Sequence, residues 1–199
     1  MKREIVLGSI AALGFATTAL AAETLSYTYV ELGYIDTEID DLGVSGDGLG
    51  IRGSYRLANG IHVFASYADL GYDGNVDVSE LRLGGGYAWP MSPKLDLVGK
   101  LAYVSVDVGS SITVAGLGRV GFSAEETGYS LRAMLRGKLN DQFEVSGGLD
   151  HVDVGNDNDT AFEVGGRYLL TPAFNVGLDL RFSDDGTSYM VGGRYQFGS

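Results

Sequence analysis

Fifteen ionisable side chains recur at alternate positions of short, otherwise apolar segments along this 199-residue chain. They are Glu31, Arg52, Arg56, Glu80, Arg82, Lys100, Arg132, Arg136, Glu144, Asp150, Glu163, Arg167, Asp179, Arg181 and Arg194. Nine are basic and six acidic. Guanidinium forks match carboxylates in shape as well as charge, so such a set pairs when it is drawn together out of water. An unpaired charge there is costly, and a cross-paired ladder is the expected arrangement. Such a ladder has two uses: it fills and stiffens an interior, or its arginines line a narrow path for small solutes.

Other chemistry is sparse. His62 and His151 are the only histidines. His151 has Asp150 and Asp153 beside it, the kind of neighbourhood a hydrolase acting on lipid or peptide would use. Catalysis needs a base aimed at a nucleophile, however, and no such arrangement is legible, so an interfacial histidine is expected and no enzyme. Two GxGxxG matches, at 48–53 and 116–121, open no helix after a strand, and in a chain with 31 glycines they read as chance.

Acidic residues gather elsewhere: Asp36, Glu38, Asp40, Asp41, Asp47, Asp69, Asp73, Asp77, Asp107, Glu125, Glu126, Asp153, Asp157, Asp159, Asp184 and Asp185, with only Arg119 among them. This reads as a solvated, repulsive rim. A sharper reading has it recruit Ca²⁺ or Mg²⁺, with Asp153, Asp157, Asp159, Asp184 and Asp185 as ligand candidates, bridging to lipopolysaccharide phosphates or an external partner. The 153–159 stretch does not follow an EF-hand pattern, and no other cofactor is expected.

The elements that must hold these groups are strands. Near the C-terminus, Tyr189, Val191, Tyr195 and Phe197 share one parity, and Met190, Gly192, Arg194 and Gln196 the other. Period-two alternation describes a strand with one apolar and one polar face. An apolar final strand is an aggregation hazard unless it pairs with the first and closes a barrel. The same unit repeats from residue 25: strand, tight turn, strand, longer acidic loop, the longest connection (107–126) reading either as loop or as an extension of the flanking strands beyond the membrane. Strands are expected over about 25–37, 48–57, 61–70, 80–89, 95–106, 129–136, 143–150, 162–168, 174–182 and 189–197. Ala58-Asn59-Gly60 is a hairpin turn. The 61–70 strand is ambiguous, because Phe64 competes with Val63, Ala65 and Tyr67 for the outer face, and a count of eight strands stays open beside ten. Glycines on the charged face (Gly33, Gly84, Gly86, Gly165, Gly192) are expected to leave room for long arginines.

Aromatics mark the ends of the apolar face. Tyr55, Tyr87, Trp89, Phe143, Tyr168, Phe174, Tyr195 and Phe197 fall near the short turns, and Tyr34, Tyr67, Tyr103, Tyr129, Phe162, Phe182 and Tyr189 near the loops. A soluble β-sandwich has no reason to sort its rings by height, whereas a bilayer does, because amphipathic rings settle at headgroup depth. Ten-residue strands also match a tilted membrane span. Residues 1–21 read as an export signal: Lys2 and Arg3, an apolar stretch, then Ala19-Leu20-Ala21, with cleavage after Ala21 or Ala22. Residues 22–199 form the barrel. A net charge of -12 argues against nucleic acid, and zero cysteines against disulfides or thiolate metal sites.

The opening Tyr29-Val30-Glu31-Leu32-Gly33-Tyr34 and the ending Gly192-x-x-Tyr195-x-Phe197 resemble the small outer-membrane β-barrel superfamily of Gram-negative bacteria, the group holding OmpX, OmpW, the OmpA barrel and the opacity proteins. The ending is similar to the signal read by the barrel-assembly machinery, carried here by Gly192, Tyr195 and Phe197, although Gly198-Ser199 follow Phe197 and Met190 stands where a polar residue is usual. The resemblance implies an all-β, closed, antiparallel up-and-down transmembrane barrel in the outer membrane. It also implies a monomer among lipid and lipopolysaccharide, with termini in the periplasm and long loops outside. Envelope structure or surface interaction is then the expected role, ahead of a narrow porin-like channel.

Overall fold

The computed structural model describes residues 25–39, 43–114 and 118–197. The export signal with its cleavage positions, Asp40, Asp41, Gly116 and Gly198-Ser199 lie outside them. Ten antiparallel strands close into one barrel in chain order. They are β1 (Tyr29–Ile39), β2 (Val44–Ala58), β3 (Ile61–Tyr72), β4 (Val76–Ser92), β5 (Leu95–Val114), β6 (Gly118–Lys138), β7 (Phe143–Val154), β8 (Asp157–Leu169), β9 (Phe174–Phe182) and β10 (Gly186–Gln196). Closure is made by β1 with β10, from Tyr29↔Gln196 to Ile39↔Gly186. The apolar last strand thus has its edge covered, and the eight-strand alternative falls.

Which solvent each face meets is decided by a few exposures. Leu97, Leu131, Val145 and Leu178 are 38, 57, 39 and 44 % exposed, whereas Arg132 and Arg167 are 4 and 3 % exposed. A water-soluble fold does the reverse. Leucine, valine and isoleucine form a middle band on the outer wall, with aromatic rings at both ends. Tyr103 faces Tyr129 across one strand pair and Phe162 faces Phe182 across another. At the opposite end the Phe143–Tyr168 and Tyr195–Phe197 ring centroids stand 5.0 Å apart. Residues 25–28 and Phe197 lie at this second end, with the tight turns. Asn59 and Gly60 there take φ of 46° and 85°, the positive values their hairpin requires.

Two expectations need correction and one ambiguity is settled. The acidic segments are mostly not loops: they continue the hydrogen-bonded wall, as the reading of 107–126 as an extension of its flanking strands has it, so that β5 and β6 reach 20 and 21 residues. Pairing satisfies backbone groups that a loop would leave to water. β4 likewise runs past Pro90 to Ser92, with the register slipping between those two residues. Phe64 resolves inward, half-buried beneath the Lys100 ammonium 4.9 Å from its ring. The glycines do not mainly make way for arginines: a Cβ on Gly33 would meet Met190 and one on Gly86 would meet His62, while Gly177 is the one against the Arg167 guanidinium.

Candidate functional site

Strand alternation turns all fifteen charged residues to the barrel interior, and the register sets opposite charges side by side. Glu31 stands between Arg194 and Arg52, Arg132 beside Asp150, Glu163 beside Arg181, and Glu144 beside Arg167. Cross-strand neighbours sit about 5 Å apart, within reach of these side chains. Lys100 instead stands across the ladder from Arg132.

The side chains gather into linked groups at mid-height. One surrounds Asp150, whose Oδ2 accepts from Arg82 at 2.7 Å, Arg132 at 3.0 Å and Arg181 at 3.1 Å. Arg82 also donates to Glu80, and Arg181 to Glu163 and Asp159. Another is built on Glu31 and Asp179. Arg194 and Arg167 donate to Glu31 at 2.6 and 2.8 Å, and Arg167 and Arg52 to Asp179 at 2.7 and 2.9 Å. With Lys100, seven cations (Arg52, Arg82, Lys100, Arg132, Arg167, Arg181, Arg194) here meet six carboxylates (Glu31, Glu80, Asp150, Asp159, Glu163, Asp179), all of them buried.

The tight-turn end is closed from within. Residues 25–28 do not pair as strand but fold into the mouth, burying Leu25 and Tyr27 among Tyr29, Ala88, Val98 and Met134. Tyr27 stacks on His62 at 4.8 Å and lies under the guanidinium groups of Arg56 and Arg136, at 4.9 and 4.7 Å. Its hydroxyl donates to Asp96 Oδ2 at 2.7 Å. Arg56 and Arg136 donate to the Leu25 and Ser26 carbonyls, and Arg136 also grips Glu144 at 2.6 Å. Tyr27 precedes the first strand, and burial pushes its phenol well above the usual range, opposed by the Arg136 guanidinium and reinforced by the Asp96 carboxylate. Tyr27→Phe keeps the stacking and loses only the bond to Asp96. It should cost about 1–2 kcal/mol, read as a lower temperature at which the compact band disappears on a heat-modifiability gel.

Toward the loop end, apolar side chains take over the interior instead. Ile35, Ala68, Leu70 and Met190 form one cluster there, and Val104, Val106, Val152 and Val154 another. Charged middle, aromatic plug and aliphatic collar leave little room. One cavity between them has a volume of about 10 Å³, enough for a single water.

Outside, the rim acids separate by parity. Asp47, Asp69, Asp77, Asp107 and Glu125 point outward just beyond the loop-side aromatics. Asp153 also faces out and accepts from the Tyr129 hydroxyl at 3.4 Å. Asp159 does not belong with them, since it turns inward to Arg181. Asp157 opens β8, and Asp184 and Asp185 occupy the β9–β10 turn. Among the described residues no three His, Cys, Asp or Glu come together as a metal site. His151 faces outward with Nδ1 2.9 Å from the Thr160 hydroxyl, while Asp150, the next residue, points to the opposite face. The two therefore cannot work together. Tyr195 and Phe197 project outward and Gly192 packs inward against the Gly33 backbone.

The charged set read from the sequence leaves out Asp96, Asp159 and Tyr27, although the alternation of 95–106 puts Asp96 on the face of Lys100. Asp96 and Asp159 lie on the inward parity of their strands, which was the available signal. Tyr27 carried none, because residues 25–28 leave the wall.

No curated protein matches the sequence. Among solved structures, the chain is similar to the β domain of the Bordetella autotransporter BrkA, at 14 % identity over 85 % of this chain and 99 % of that one, with a TM-score of 0.50. It is also similar to the KdgM porin (14 %, 84 % and 99 %, TM-score 0.46) and the outer membrane protease OmpT of Escherichia coli (12 %, 89 % and 100 %, TM-score 0.49). At such identities the likeness speaks for the fold alone. The model of the outer membrane protein beta-barrel domain matches residues 7–182, and the chain belongs to that family of Gram-negative outer-membrane β-barrels.

Proposed function

We propose that this is a packed, non-conducting barrel that serves envelope structure or surface contact, with its termini in the periplasm and its acidic rim outside. The observation that carries the reading is the filled lumen: an aromatic plug at one end, an aliphatic collar at the other, and buried ion pairs between. A solute path needs continuous polar space, and side chains occupy it here.

The rim supplies the contact surface. It is acidic, set at headgroup depth beyond the tyrosines, and suited to Ca²⁺ or Mg²⁺ shared with lipopolysaccharide phosphates. On β6, residues 118–126 pair only with β5 among the described residues, so backbone donors and acceptors on the other edge are available to a partner strand. Gly192, Tyr195 and Phe197 serve as the signal for the barrel-assembly machinery, and the closed β1–β10 seam suits a monomer.

Planar-bilayer recording of the purified protein tests the reading. No steady current steps should appear across a range of voltages. Ohmic, salt-dependent steps would favour the narrow channel and end the proposal.

A further inference from the structure

On β6, β7 and β8 the apolar outer wall is interrupted by hydrogen-bonding groups. The register sets Tyr129 beside Asp153 and Asp153 beside Asn158. One outward row closer to mid-height it sets Leu131 beside His151 and His151 beside Thr160. The row after that is apolar again, with Ala133, Leu149 and Phe162. His151 Nδ1 stands 2.9 Å from the Thr160 hydroxyl, and the Tyr129 hydroxyl donates to Asp153 at 3.4 Å. Asn158 and Thr160 are exposed. Polar groups on a lipid-facing wall are costly unless partners at the same depth bond to them.

The donor and acceptor inventory narrows the partner. An ionised Asp153 only accepts, whereas the Asn158 amide and the Tyr129 and Thr160 hydroxyls both donate and accept. The carboxylate therefore favours a ligand that donates to it, and repels a phosphate. Arg132 and Arg136, the arginines of this part of β6, are buried in the lumen and cannot hold a phosphate outside. Sugar hydroxyls donate and accept at once, and so match the set. The apolar row beneath selects an amphiphile, because acyl chains continue along Leu149 and Phe162. We propose that this patch binds the saccharide headgroup of an outer-leaflet glycolipid, with Asp153, Asn158 and Thr160 on its hydroxyls. The contact is direct and gives Asp153 a role that needs no cation. It rests on the reading that the loop end faces outward from the cell.

The test places the full-length mature chain in phosphatidylcholine nanodiscs in EDTA, with increasing monogalactosyl diacylglycerol, a sugar lipid without phosphate. Amide NMR signals of Asp153, Asn158 and Thr160 should shift saturably with the glycolipid, while those of Ile51 and Val63 on β2 and β3 stay in place. Asn158→Ala combined with Thr160→Val removes two hydrogen-bonding side chains and should weaken the binding about tenfold. Both lie outside the lumen network, and the parent titration decides by itself should that variant not fold. No saturable shift, the same shifts with phosphatidylethanolamine, or undiminished binding by the double variant would overturn the proposal. Orientation is read separately, by labelling Asn156→Cys in the β7–β8 turn on intact cells with a membrane-impermeant maleimide. An unlabelled cysteine would end both the outward reading and this inference, whereas a labelled cysteine with no glycolipid shift would end this inference alone.

Discussion

Asp150→Asn should destabilise the barrel by about 3–5 kcal/mol, the range for breaking a buried charge network by removing one partner. The size follows from the geometry of one oxygen. Asp150 Oδ2 takes hydrogen bonds from Arg82, Arg132 and Arg181, and the residue is fully buried. An asparagine keeps the shape but brings one acceptor and two donors into a space already crowded with guanidinium donors. The mid-lumen cation excess also rises from one to two. Glu80 offers the comparison, because it receives both of its Arg82 hydrogen bonds from a single guanidinium. Glu80→Gln should therefore cost less, about 1.5–3 kcal/mol, as for hydrogen bonds to a charged group. Urea unfolding in detergent micelles, followed by tryptophan fluorescence, gives both numbers. An Asp150→Asn variant within about 1 kcal/mol of the parent would mean that the arginines reach other acceptors or water, and that the interior is not the closed network described.

How far the sequence disclosed all this depends on what each kind of signal encodes. A strand's side-chain period is two, so a charged interior against a lipid-facing wall writes itself directly into the residue order. Arg132, Arg136, Arg167 and Arg181 could be assigned inward from parity alone, and so could Leu131 and Leu178 outward. Sorting of aromatic rings by height added the membrane. Strand length was less legible, because acidic and glycine-rich stretches such as 40–47 and 107–126 carry loop composition. Turn propensity is local, whereas the ladder that extends β5 and β6 is a pairing between two segments, each of which is ambiguous without the other. Asp159 was misplaced for the same reason: it sits in an acidic run, and only the register of β8 against β9 brings it to Arg181. The plug was out of reach altogether. Leu25 and Tyr27 look like the beginning of an alternating strand, and nothing local says that the chain leaves the wall to pack under Arg56 and Arg136.

The outward assignment makes the complementary prediction. Leu131 sits in the leucine-rich middle of the outer wall, flanked across the sheet by Leu101 and half-exposed His151. Leu131→Arg places a guanidinium against hydrocarbon, with the inward face already filled and Asp153, a diagonal step toward the loop end, the outward carboxylate in the next strand. Arginine near the bilayer midplane of such barrels costs about 2–4 kcal/mol, falling to about 0–1 kcal/mol at the interfaces. Leu139 lies in the turn between β6 and β7, and is 68 % exposed against 57 % for Leu131. Surface accessibility thus ranks the two nearly alike. A soluble fold would tolerate arginine equally at both, since each would point it into water, whereas a bilayer penalises only the first. Folding each variant into phospholipid vesicles and titrating with urea should separate Leu131→Arg from Leu139→Arg by at least about 2 kcal/mol. Equal, small costs at the two positions would place Leu131 outside the hydrocarbon layer. Loss of folding in vesicles for Leu131→Arg, with refolding kept in detergent, would put it inside, because micelles deform around a charge more readily than a bilayer does.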